Sequence, residues 1–401
     1  MNVDIVIVGA GPAGLCMARA LADTGLSILL IEQQPLEALR DPVFDGRDIA
    51  LTRRSVQMLQ NLGVWHRIGL ADISPLRGAR VLDGRATRGL SVRASGDGVA
   101  ELGFLVPNHR IRRAAFASVE DEPHITVASG IAVRGIRYED GRPQLHLTNG
   151  ASVSTQLVVA ADSRFSPLRR EVGIAADMHD FGKSMLVCRM ALEHPHHGEA
   201  LEWFGHGHTL ALLPLQGGLA SVVLTLPPEA MKEVMALDDA AFNDALGHRF
   251  EHRFGRMQLA STRHTYPLVG VYAKHFIAPR FALLGDAAVG MHPVTAHGFN
   301  LGLHGVERLA GEVRRAHAEG RDIASNELLR RYERTHRMAT RPLYMATLAI
   351  VRLYTDDRLP ARVARRALLH TSQATPPFRL GLARMLAAER RLHCPIPLAP
   401  T

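Results

Sequence analysis

The strongest constraint on the fold lies at the start of the chain, where an apolar run from Val3 to Val8 opens into Gly9-Ala10-Gly11-Pro12-Ala13-Gly14. A strand entering three glycines at this spacing predicts a phosphate loop. The first glycine permits the tight turn, the second lets backbone approach a pyrophosphate, and the third lets the following helix pack on the strand. That helix is expected from about Pro12 to Asp23, offering its free N–H groups and positive dipole end to phosphate oxygens. Leu26 to Ile31 reads as the second strand, and Glu32 follows at its end, eighteen residues beyond Gly14. An acid there accepts hydrogen bonds from the hydroxyls of an adenosine ribose and repels a ribose phosphate, which suits FAD or NAD rather than NADP.

Further along, Pro35 to Asp48 reads as a loop near the dinucleotide, with Arg40 and Arg47 as phosphate contacts or solvated charges. Thr52 to Leu62 reads as a helix with Thr52 as N-cap and Gly63 as the stop. A strand near Gly103 to Val106 leads to a basic helix, Ile111 to Val119, whose entrance holds Asn108 as either an N-cap or a cofactor contact. From Ile125 to Ala160, short runs separated by Asp140-Gly141 and Asn149-Gly150 predict an antiparallel meander. Its last strand delivers Asp162, Ser166 and Arg169 into a loop, where an α/β protein places ligand contacts. Residues from about Gly173 to Lys274 change character and read as an inserted α+β domain. The histidines there (His194, His196, His197, His206 and His208) lack a carboxylate or cysteine at ligand spacing, so turns rather than a metal site are expected. The strand Phe281 to Leu284 then enters Gly285-Asp286 and, past Met291-His292-Pro293, a long helix from about Phe299 to His317. Asp286 is placed to accept a ribityl hydroxyl, and N–H groups near Gly298 to stabilise negative charge on a reduced flavin; a structural turn is the alternative.

The composition, 47% hydrophobic and 21% charged over 401 residues, is that of a globular protein of two or three domains. No secretory segment is seen ahead of the first strand, and Leu343 to Val351 is too short to span a bilayer. The three cysteines suggest neither a disulfide framework nor a metal site, so a cytoplasmic protein is expected. The net charge is +8, yet Arg308 to His393 holds eighteen arginines against eight acids. Within that stretch Arg362, Arg365 and Arg366, and Phe378, Leu382, Met385 and Leu386, recur at helical spacing and suggest a basic and an apolar face. Such a surface suits contact with anionic lipid at the inner membrane, or ordinary packing on the core. Aromatics make up only 5%, and no nucleic-acid recognition module is visible.

The three stations together resemble the flavoprotein aromatic hydroxylases, single-component FAD monooxygenases, from Val3 to about Arg315. Gly9, Gly11, Gly14 and Glu32 match that family's ADP-binding loop; Asp162, Ser166 and Arg169 match its second motif; Gly285 and Asp286 match its ribityl motif. Pro293, Gly298 and Asn300 match residues around the isoalloxazine. Ala160 and Ser163 stand where the second motif usually has glycines, and Ala296-His297 replaces the usual Gly-Gln. Asp48-Ile49-Ala50-Leu51-Thr52 and Ala296 to Leu303 look most like the ubiquinone-biosynthesis hydroxylases, of UbiM type. The resemblance implies an α/β fold: a Rossmann-like FAD-binding domain with an inserted α+β substrate domain and C-terminal helices, divided at 1–174, 175–274, 275–340 and 341–401. It also implies that NADH or NADPH reduces FAD and that one atom of dioxygen reaches an electron-rich, prenylated aromatic ring, with demethoxyubiquinol as the first expectation. The cofactor contacts implied are those just named with Arg47 and Asn108; Pro293, His292 and His297 are the catalytic candidates, either histidine as a base for a phenol. Alternatives are hydroxylation of a small soluble aromatic, reduction of isoprenoid double bonds, and a non-enzymatic FAD protein.

Overall fold

A computed structural model describes residues 1–84, 89–93, 101–205, 208–293 and 297–355. Two large sheets organise the chain. In the first, Asn2–Val8 lies at the centre, parallel to Ile28–Glu32 on one side and to Ser152–Ala160 on the other. Ile125–Ser129 and Phe281–Leu283 extend the parallel array outward. A strand enclosed on both faces needs apolar residues without alternation, and Ile5, Val6 and Ile7 are fully buried.

The expected meander is only half right. The hairpin Val133–Glu139/Arg142–Leu147 pairs antiparallel with Ser152–Ala160, but Ile125–Ser129 joins Ile28–Glu32 in parallel. The glycines at Gly141 and Gly150 have positive φ, as hairpin turns demand, whereas Ile125–Ser129 is reached through the helix Asn108–Ala117, a crossover that favours parallel pairing.

The second sheet is built on the long strand Ala176–Leu192, which pairs with Leu219–Leu226 and with His264–Ala273; a register shift between Asp180 and Ser184 serves the latter. Thr209–Pro214 and Glu199–Phe204 continue it. The sheet is not drawn from 175–274 alone: Gly78–Asp83 pairs in parallel with Glu199–Phe204, and Leu90–Arg93 follows. One face packs on the helices Pro228–Ala236 and Asp239–Arg249, forming a core separate from that of the first sheet. Between the sheets lies a three-stranded layer of Asp48–Thr52, Gly103–Pro107 and Ser74–Leu76.

Two long helices, Gly298–Ala318 and Asn326–Thr355, back the first sheet. No helix among the described residues is long and apolar enough to cross a membrane. Helical patterns at Arg362 to Arg366 and Phe378 to Leu386 lie outside the described residues.

The seam between these helices buries His304 and His336; His336 is stacked on Tyr332 and meets Arg308 at 3.0 Å. Burial, then the neighbouring arginines, pushes both imidazoles down to about 3 from an ordinary 6.5. Groups whose folded pKa is depressed below the unfolded one stabilise above the unfolded pKa, and that stability is lost as pH falls through the window between the two. We expect thermal stability to drop from pH 7 to pH 5 by on the order of 2 kcal/mol per histidine. A thermal series in which His336→Gln does not flatten that slope would remove this residue as a cause.

Candidate active site

At the first station the helix Pro12–Leu21 begins at Gly11, which adopts φ −69° and ψ 172°, and no side chain caps its N–H groups. A Cβ on Gly11 would meet nothing within 4 Å, so the space over the helix start is open. Gly9 and Gly14 are different. Gly9 has φ +105° with Ala161 O 2.5 Å from where its Cβ would stand, and a Cβ on Gly14 would sit 2.0 Å from Gly9 O. Glu32 leans back onto the loop: its carboxylate accepts from Ala10 N at 2.8 Å and Gln34 N at 2.9 Å. An uncapped ten-residue helix, an open glycine and a carboxylate at the end of the second strand fit the ADP half of FAD.

The other two stations close on the first. Cβ positions at Gly285 and Gly302 fall 3.1 and 3.8 Å from the Ala13 methyl, so the Gly285 turn and the helix from Gly298 seat directly on the phosphate helix. Arg164 bonds Asp286 at 2.9 Å, and buried Arg169 donates to Ala287 O at 2.8 Å and Arg164 O at 3.0 Å. Ser166 caps the short helix Pro167–Glu171 and donates to Asp162 at 2.8 Å, while burial raises the Asp162 carboxyl. Gly9, Asp162, Arg169, Gly285 and Asp286 thus form one contiguous junction. Gly298 opens the 21-residue helix with no capping side chain.

The loop after the second strand gives a more mixed result. Arg40 turns away to Glu120. Arg47 pairs with Asp45 at 2.6 Å and lies over the Tyr266 ring. Asn108 is not an N-cap: Pro107 holds that position, Asn108 is the first helical residue, and its amide donates to Asp45 at 2.7 Å. The Asn300 amide accepts from Thr52 N at 3.1 Å and donates to Ala50 O at 2.8 Å, holding the strand Asp48–Thr52 against the long helix. Asn108 therefore braces Asp45, and Asn300 braces the Asp48–Thr52 strand.

Among the catalytic candidates, Pro293 is exposed and His297 is buried at the start of the long helix. Residues 294–296 between them, Ala296 included, lie outside the described residues. His292 packs edge-on against Phe181, and burial, aided by Lys183 and Arg164, pushes it down to about 4. A phenol ionises near about 10, so His292 is a poor acceptor for its proton. In the second sheet His196 bonds Leu215 O and Leu219 O of the neighbouring hairpin turn, His206 lies outside the described residues, and no metal-binding group of side chains occurs among the described residues.

A Rossmann-like cofactor domain, a second sheet over it and three converging glycine and acid motifs define a flavin-dependent monooxygenase. The sequence matches the FAD binding domain family over residues 2–346. The chain is 41% identical to ubiquinone hydroxylase UbiM of Neisseria meningitidis, over 96% of this chain and 85% of that one. It is 32% identical to ubiquinone hydroxylase UbiL of Rhodospirillum rubrum, over 90% and 84%. It therefore belongs to the FAD-dependent hydroxylases of the ubiquinone-biosynthesis family. The fold is similar to that of p-nitrophenol 4-monooxygenase PnpA from Pseudomonas putida, with a TM-score of 0.78 at 18% identity over 98% of this chain and all of that one.

Glu32→Ala is expected to weaken FAD binding by about 1.5–3 kcal/mol, the worth of charge-assisted hydrogen bonds. Asp286→Ala is expected to weaken it more, because Arg164 loses its partner beside the cofactor as well. Flavin retention after gel filtration, read by absorbance, checks both; full occupancy in Asp286→Ala would take Asp286 out of the site.

Proposed function

We propose that this chain hydroxylates the aromatic ring of a polyprenylated phenol or quinol, with a demethoxyubiquinol-type ring as the first candidate. One observation carries the substrate class. The second sheet turns toward the cofactor domain a face on which Val187, Val223, Ala211 and Val81 lie side by side, and the arginine on it, Arg189, is held by Asp48 at 2.6 Å. A small aromatic acid needs a cation to anchor its carboxylate, and this one is engaged; a prenylated ring needs apolar surface.

FAD, reduced by NADH or NADPH, supplies the activation of dioxygen. The chain's own residues bind and orient: Gly11 and the helix after it the pyrophosphate, Glu32 the ribose, Asp286 the ribityl chain. The apolar face excludes water from the reacting ring. Peripheral attachment at the inner membrane, where such a substrate resides, belongs to the same reading. It is supported by the exposed Met338 and Met345 among the arginines of the helix Asn326–Thr355.

Quinone profiling by mass spectrometry in a bacterium lacking its own ubiquinone hydroxylases tests this, with membranes from the same cells washed in high salt. Restored ubiquinone names the carbon, and salt-released protein supports the location. No restoration with FAD-loaded protein present would move the substrate to soluble aromatics.

A further inference from the structure

Side-chain alternation divides the second sheet. Leu186, Leu201, Trp203, Leu212 and Val222 point into the core under the two helices. Directly paired residues project to the same side. One row therefore crosses the opposite face: His264, Val187, Val223, Ala211, Glu202 and Val81. At one end of the row Val187 and His264 press on Gly46 of the cofactor domain, 2.7 and 2.9 Å from where its Cβ would stand. Arg189, two residues beyond Val187, reaches Asp48 of the middle layer. This is the face that looks toward the cofactor domain.

Glu202 stands on that face three strands from Val187, about 14 Å at the usual strand spacing. Glu202 and its neighbours in the row, Val223, Ala211 and Val81, are partly exposed, and Val187 and Phe204 are buried without belonging to either core. Glu199, on the other face of the same strand, is held by Arg80 and Arg93. The Glu202 carboxyl has no hydrogen bond or ion pair among the described residues, and burial alone pushes it up to about 8. Thr209–Pro214 brings no charged group to this face; Gly78–Asp83 brings Asp83, beside Phe204, and Arg189 is committed to Asp48.

A carboxylate left without a partner in an apolar wall calls for a donor on the ligand. We propose that Glu202 is a catalytic residue that takes the proton of the substrate's ring hydroxyl, an inference that rests on the phenolic substrate proposed above. The ring O–H bond breaks and an O–H bond forms on the Glu202 carboxylate. The electron pair stays on the ring oxygen and spreads to the ortho and para carbons, which are then ready for an electrophilic oxygen. The proton returns when the ring regains its hydroxyl. With the carboxyl near 8, Glu202 is far better matched to a phenol near about 10 than His292 is.

The test uses the FAD-loaded enzyme and its Glu202→Gln and Glu202→Asp variants, all checked for flavin content and for the rate of flavin reduction by NAD(P)H. Hydroxylation of a short-chain prenylated phenol is followed against pH, and 4-nitrophenol, whose phenolate is coloured, is titrated in as a binding probe. In the parent, kcat/KM is expected to rise with pH through the ionisation of Glu202. Glu202→Gln is expected to lose about 100-fold or more, to lose that limb of the profile and to bind the probe un-ionised, with Glu202→Asp recovering part of each. Activity within about threefold of the parent, with the same profile and the same probe spectrum, would overturn the assignment. A parent inactive on the prenylated ring counts against the substrate class instead; the probe spectrum then still decides for or against Glu202.

Discussion

Gly14→Ala is expected to abolish flavin binding by breaking the fold, whereas Gly11→Ala is expected to weaken it and leave the fold intact. The Cβ at Gly14 would stand 2.0 Å from Gly9 O, an atom of the main chain, and Gly9 is itself pressed against Ala161. No rotamer relieves such a contact; the helix must move off the strand, at about 3 kcal/mol or more. Gly11 has φ −69°, which alanine adopts freely, and an added methyl meets no protein atom within 4 Å. With the pyrophosphate on this helix start, as proposed, the methyl blocks hydrogen bonds to a charged group, about 1.5–3 kcal/mol, or roughly 10–150-fold in affinity. Thermal unfolding of flavin-free protein separates the two variants: Gly11→Ala should melt with the parent and Gly14→Ala well below it. Equal melting of all three, with equal flavin loss, would mean that both glycines act only through the cofactor.

This contrast also shows what the sequence makes legible. Turn, close approach and helix start are demands made within fifteen residues, so the glycine loop announces itself; the same holds for Gly285-Asp286. Asn108 is different because its partner, Asp45, lies 63 residues away, and nothing local separates a cap from a contact. The parallel place of Ile125–Ser129 follows from what its neighbour in space offers, not from its own alternation. Glu202 is one acid in an ordinary strand, and only the pairing of five further strands shows which face it occupies. His292 and His297 are the bases the resemblance implies, but burial removes the basicity that makes His292 a candidate.

Arg189→Met is expected to cost about 3–5 kcal/mol, because it leaves the Asp48 carboxylate buried without its cation. The Asp48 side chain is fully enclosed, Arg189 Nη2 meets it at 2.6 Å, and the guanidinium lies 4.8 Å from the centre of the Phe44 ring. Arg189 belongs to the long strand of the second sheet and Asp48 to the layer that Asn300 ties to the helix behind the first. The pair therefore joins the two halves of the molecule across the active-site seam. Arg189→Lys keeps the charge but loses the planar contact with Phe44, and should fall between parent and Arg189→Met. Adding Asp48→Asn to Arg189→Met removes the stranded charge and should return much of the stability, since the double variant buries no unpaired ion. Urea unfolding of these proteins and of Asp48→Asn alone, at fixed FAD concentration, gives the coupling between the two positions. If Arg189→Met lies within about 0.5 kcal/mol of the parent, water reaches Asp48 when the arginine is gone, and the seam is looser than its geometry shows.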